Sequence, residues 1–132
     1  MIATMPEIPV IEMTHPMPGF PEHSRFALVQ LDDDGVLCSL TSLDEPGVRF
    51  LVVPPVRFFP DYAPVVSDEV AADLEVSTAA EVLVLCVLTA GSSLDDTTAN
   101  LMAPVLVNTT TCKAVQVILD DPDLSLAAPL VA

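Results

Sequence analysis

Tryptophan is absent from this 132-residue chain, and histidine, cysteine, glycine and basic residues are scarce. The four cations, Arg25, Arg49, Arg57 and Lys113, face nineteen carboxylates, for a net charge of −15. Nucleic acids and anionic membranes attract proteins mainly through Lys and Arg, so both are disfavoured as direct partners. A basic protein would be attracted and steered in, although the same acid excess also serves solubility. The three cysteines, Cys38, Cys86 and Cys112, are odd in number and form no C-x-x-C, which points to neither a disulfide framework nor a zinc ribbon. Cys38 and Cys86 lie in apolar runs and read as small buried hydrophobes, and a reducing cytoplasm is the expected home. Gly19, Gly35, Gly47 and Gly91 are scattered, and none precedes a Lys-Ser/Thr pair, so a phosphate loop is missing. His15 and His23, near Glu12 and Glu22, sit in a proline-rich stretch that suits neither a metal site nor a nucleophilic triad. No metal or cofactor is expected. Long apolar runs are missing too: Val82 to Leu88 is seven residues, against the ~20 of a membrane helix. The start, MIATMPEIPVIEM, carries acids and prolines and no cation, so it does not read as a signal peptide.

What is present is a succession of short apolar segments separated by turn residues. The chain is expected to form one domain over residues 1–132, with an extended, proline-rich segment 1–25 and a tail 120–132. Pro9 to Met13 reads as an edge strand, and Phe26 to Leu31 as a second strand. Asp32 to Gly35 is a hairpin turn, followed by a strand alternating from Val36 to Thr41. The same turn resembles the start of a calcium loop, but Gln30 and Thr41 stand where carboxylates are needed. After the turn Ser42 to Gly47, Arg49 to Val53 completes a three-stranded meander. Ser67 to Leu74 is the one helix expected: Ser67 caps it, Asp68 and Glu69 suit its positive end, and Val66, Val70 and Leu74 share a face. Thr78 to Glu81 imitates a capping box, but the β-branched run after it makes this a turn into a strand. Ala114 to Leu119 is the last strand. The fold expected is all-β and mainly antiparallel, a barrel-like structure or a sandwich, with one short helix around residues 67–74.

The segment Thr97 to Asn108 organises the chain. It starts small and polar, turns at Ala103 and Pro104, and becomes the apolar Val105, Leu106 and Val107. A polar loop held between buried strands is suited to recognition, since the rigid part positions the exposed part. The paired acids Asp33–Asp34, Asp95–Asp96 and Asp120–Asp121 fall in expected turns and read as solvated rather than catalytic. Phe58, Phe59 and Tyr62 form a proline-punctuated aromatic loop, suited to packing first and to partner contact second.

Six stretches together resemble the FliW family of flagellar assembly factors. They are PGF (Pro18 to Phe20), LTSLDEP (Leu40 to Pro46), FLVVPP (Phe50 to Pro55), FFPDY (Phe58 to Tyr62), TANLMAPVLVN (Thr98 to Asn108) and QVILDD (Gln116 to Asp121). The resemblance implies a β-barrel-like, non-enzymatic protein of the cytoplasm, monomeric when free. It also implies two partners, flagellin and the RNA-binding translational repressor CsrA, whose repression of flagellin synthesis such proteins relieve. On this reading the contact surface is Thr97, Thr98, Ala99, Asn100 and Leu101, with Asn100 foremost, either as a contact or as the residue that stabilises the turn, and Phe58, Phe59 and Tyr62 form a second surface. A small-molecule-binding barrel and a structural assembly subunit are the competing readings. The chain departs from the family pattern in its few basic residues and its proline- and alanine-rich ends.

Overall fold

Alternation of apolar side chains along the strands decides the architecture. The computed structural model describes residues 10–14, 25–31, 37–44, 47–55, 58–62, 64, 66–78, 81–93, 96–119 and 121–130. The expected turn Asp32 to Gly35, the Pro18 to Phe20 stretch, His15, His23 and Glu22 lie outside them. The elements are β1 (Val10–Met13), β2 (Arg25–Gln30), β3 (Cys38–Ser42), β4 (Arg49–Val53), α1 (Asp68–Leu74), β5 (Val82–Thr89), β6 (Thr98–Ala99), β7 (Val105–Asn108), β8 (Lys113–Gln116) and β9 (Ala128–Pro129).

Strand β4 pairs with both β3 and β5, so the order β1-β2-β3-β4-β5-β7-β8 returns to β1 and closes a seven-stranded barrel. The sandwich alternative is thereby set aside. An odd ring of strands cannot alternate direction all the way round. One neighbouring pair must be parallel, and it is β1–β8, with Glu12 opposite Lys113 and Met13 opposite Ala114. The other barrel pairs are antiparallel. Strand β1, expected at an edge, therefore has hydrogen-bonded neighbours on both sides. Closure removes the free edges of these seven strands, which would otherwise invite aggregation.

Inward side chains make the main core: Ile11, Met13, Phe26, Leu40, Val52, Leu85, Val105 and Val107 among them. The Phe26 and Phe50 rings lie 6.0 Å apart at 56°, within the tilted geometry aromatic pairs favour. The alternate residues point outward, and on β5 these too are apolar. Val82 and Val84 join Leu106 and Val115 in an outer cluster covered by Val70 and Leu74 of α1 and by Val66 just ahead of it. Further along, Cys86 and Leu88 join Val53, Ala99 and Leu101 in a second outer cluster. A strand apolar on both faces reads as a continuous run, which is why VLVLCVL shows no period of two.

Helix α1 starts as its sequence dictates. The Ser67 side chain accepts from the Val70 amide at 3.2 Å, and Asp68 and Glu69 occupy the first turn. It ends where Glu75 turns left-handed (φ 60°) and the Val76 amide reaches back to the Ala71 carbonyl at 3.0 Å. Glu81 Oε1 accepts from the amides of Ser77 and Thr78 at 2.9 and 3.0 Å, closing the expected turn into β5. Those two donors hold the Glu81 carboxyl below its ordinary pKa. The last barrel strand is shorter than expected and stops at Gln116. The Val117 and Leu119 amides instead bond the Pro104 and Met102 carbonyls, following a bulge in the neighbouring chain.

Candidate functional site

The bulge is a register effect. Leu85 faces Val105 and Leu88 faces Ala99, so β5 advances three residues while its partner uses six. The surplus is extruded between Asn100 and Pro104 as a knuckle on the barrel wall. Asn100 builds it. Its amide bonds the Val87 carbonyl at 2.9 Å, and its Oδ1 accepts from the Met102 and Ala103 amides at 3.0 and 3.2 Å. An Asn side chain that satisfies backbone donors two and three residues on is a turn-forming device. Gln116 Nε2 adds a bond to the Ala103 carbonyl at 3.1 Å.

Asn108 repeats the device at the other end of the segment. Its Oδ1 accepts from the Thr110 and Thr111 amides at 2.8 and 3.2 Å, and its Nδ2 donates to the Leu74 carbonyl at 2.7 Å. Only 1% of Asn108 is exposed. It therefore ties the C-terminus of α1 to the β7–β8 turn. On the approach to β6, Thr97 Oγ1 accepts from the Gly91 amide at 3.1 Å and donates to the Ser93 carbonyl at 2.8 Å. Gly91 is required there because a Cβ would collide with Asp96.

The two surfaces expected from sequence are one neighbourhood. Phe58, Phe59 and Tyr62 pack half-buried on the cluster that holds Ala99 and Leu101. The Tyr62 hydroxyl donates to the Leu101 carbonyl at 2.6 Å, a link spanning 39 residues. Burial raises the Tyr62 phenol above its ordinary pKa, and neighbouring Cys86 adds to the rise. Burial likewise pushes the Cys86 thiol up to about 11. Both groups stay protonated at neutral pH, so the arrangement supplies a fixed hydrogen bond and no activated nucleophile.

Within the expected contact residues, Thr97, Ala99 and Leu101 are buried, while Thr98, Asn100, Phe58, Phe59 and Tyr62 are half-buried. The cover over Ala99 and Leu101 comes from the stretch that the sequence marks only as the tail 120–132. Strand β9 pairs with β6, Ala128 and Leu130 enter the cluster, and the Leu101 amide bonds the Ser125 carbonyl at 2.9 Å. The signal was the spacing of Leu124, Leu126, Ala128 and Leu130, every second residue. Around this patch Asp61, Asp121 and Asp123 are exposed, as is Leu126. Chemically, this is an apolar patch with a rigid knuckle and an acidic margin, which fits the anatomy of a protein-binding surface.

Comparison with known proteins converges on one family. The family model described as FliW protein matches residues 3–130. The flagellar assembly factor FliW of Bacillus pumilus is 38% identical over 112 residues, 85% of this chain and 78% of that protein. That of Symbiobacterium thermophilum is 36% identical over 122 residues, 92% of this chain and 88% of that protein. A crystal structure of the flagellar assembly factor FliW superposes with a TM-score of 0.86 at 29% identity, covering 97% of this chain and 89% of that one.

Proposed function

We propose, because this chain belongs to the FliW family, that it is a non-enzymatic cytoplasmic regulator which binds a CsrA-type translational repressor and also binds flagellin. Among the described residues no helix is long and apolar enough to cross a membrane. The observation that carries the reading is the net charge of −15 on a chain with four cations. Docked on an RNA-binding protein, such a body attracts its basic surface and repels RNA phosphates nearby. RNA release then needs no occupation of the RNA groove. When flagellin holds the factor, the repressor acts; when flagellin leaves the cell, the factor is free to relieve repression.

The contact surface in this proposal is the knuckle and the aromatic loop. Thr98, Asn100, Phe58 and Phe59, which solvent reaches, make contact. Buried Thr97, Ala99 and Leu101, and Tyr62 through its hydrogen bond, hold the shape.

Calorimetry with the host's own CsrA-type protein, with and without a target RNA hairpin and at two salt concentrations, tests this. The expected result is binding that weakens with salt. RNA and this protein must lower each other's affinity for the repressor by the same factor, because coupling between sites is reciprocal. Unchanged RNA affinity at saturating protein would overturn the antagonism. Flagellin binding without repressor binding would reduce the function to that of a flagellin chaperone.

A further inference from the structure

The outer cluster beneath α1 is only partly sealed. Its buried members are Leu74, Leu106 and Val115, but six valines packed around them are only partly covered. A groove of 220 Å³ opens between the helix and the chain after β8, lined by Val66, Val70, Leu106, Val117, Ile118 and Leu119. Another opening, of 320 Å³, lies alongside the helix between Pro64, Val76 and Val82. Ile118, on the groove wall, is 74% exposed, the highest value among the exposed large hydrophobics of the described residues. The groove is below the ~300–1,000 Å³ of typical small-molecule sites, so it suits one or two inserted side chains rather than a metabolite.

Charge selects the occupant. Asp68 lines the neighbouring opening, exposed Glu69 precedes Val70, and exposed Asp121 follows Leu119 by two residues. Lys113, near the end of α1, is held by Glu75 at 2.9 Å. Among the described residues, neither opening is lined by a Lys or Arg. A second copy of this chain would bring another −15 charges to the contact, and nucleic acid or an anionic membrane would be repelled likewise.

The geometry points to the groove between α1 and residues 117–119 as a docking site for a basic amphipathic helix of a protein partner. Its apolar side chains insert between Val70 and Ile118, and its Lys and Arg side chains meet the acidic rim. This is the helix-in-groove mode, in which a few apolar anchors give affinity and flanking charge gives orientation. The inference goes beyond the proposed function, since the surface is separate from the knuckle and stands whichever protein supplies the helix.

A synthetic helix of about 18 residues, long enough to fold in water, with leucine on one face and lysine on the other, is the probe. It is titrated into the isotopically labelled full chain, with a leucine–glutamate helix as control. Amide shifts are expected to centre on Val66, Val70, Val117 and Ile118. Ile118→Ser should leave the melting temperature unchanged, because the side chain is exposed, and should weaken binding about tenfold, as loss of an apolar anchor does. Glu69→Lys should weaken it to a smaller extent that high salt abolishes. Shifts spread over all acidic surfaces with Ile118→Ser silent would overturn the proposal, as would equal binding of the glutamate helix. Concentration-dependent dimerisation lost in Ile118→Ser would overturn it in favour of a second copy as occupant.

Discussion

Replacing Asn108 isolates the joint between helix and barrel. Asn108→Ala removes the donor to the Leu74 carbonyl and the acceptor for the Thr110 and Thr111 amides. The two amides lie in an exposed turn and regain water, at a cost of about 0.5 kcal/mol each. The Leu74 carbonyl belongs to a fully buried residue, and leaving it unpaired costs about 1–3 kcal/mol. The sum is about 3 kcal/mol, which lowers the melting temperature of a chain this size by about 10 °C. Asn108→Asp sharpens the test. It keeps the acceptor for the turn but sets a carboxylate against the Leu74 carbonyl in a buried site, which raises its folded pKa above that of the unfolded chain. The folded state then binds the extra proton, so stability falls as pH rises from the unfolded value through the folded one and recovers on acidification. At pH 7 the Asp variant should be less stable than the Ala variant, and near pH 4 the order should narrow or reverse. Urea unfolding followed by far-UV circular dichroism reads both. A loss below about 1 kcal/mol for Asn108→Ala, or a pH-independent difference between the two variants, would refute the reasoning.

Two further outcomes follow from the knuckle and its supports. Asn100→Ala should cost about 1–2 kcal/mol and speed hydrogen exchange at the Met102 and Ala103 amides, which lose their acceptor; unchanged exchange there would mean that the turn holds without the side chain. Alkali should destabilise the chain in a defined window. Cys86 ionises in the fold only at about 11, above its unfolded value of ~8.5, so its contribution is complete below that value and lost as pH rises through the folded pKa, at up to about 1.4 kcal/mol per pH unit. Tyr62 adds to the loss only above ~10, and Tyr62→Phe should remove that upper part while costing about 1–2 kcal/mol at neutral pH through the unpaired Leu101 carbonyl. A denaturation midpoint that is flat to pH 11 would contradict the buried placement of both groups.

Much of the fold was legible because its signals are local. Ser67 ahead of Asp68 and Glu69, the spacing of Val66, Val70 and Leu74 and the β-branched run 82–88 each state their structure within a few residues. Closure was not legible. The β4–β5 and β1–β8 contacts join segments far apart in sequence, and no residue type marks which strand meets which. An edge reading of Pro9 to Met13 followed from the prolines of the N-terminal segment, whereas closure of the seven-strand ring brings β8 against β1. The site divides similarly. The knuckle was visible as a small polar run ahead of a strand and Asn100 as a candidate turn former, but the size of the bulge depends on the register slip opposite Leu85–Leu88. The burial of Ala99 and Leu101 depends on β9, whose Ala128 pairs with Ala99 from 29 residues further along the chain.

The parallel β1–β8 pair also sets an order of assembly during synthesis. Strand β1 can pair with β2 as soon as residue 30 is free, but its other side must wait for Lys113 and Ala114. Until then the ring stands open, with one side of β1 and the partner side of β7 unmatched. Contacts of such sequence separation make folding slow, on the scale of milliseconds to seconds. A nascent chain in this state offers a strand edge to its neighbours on the same message. The dense carboxylates then act before any partner is met, by keeping half-made rings apart until the last barrel strand arrives.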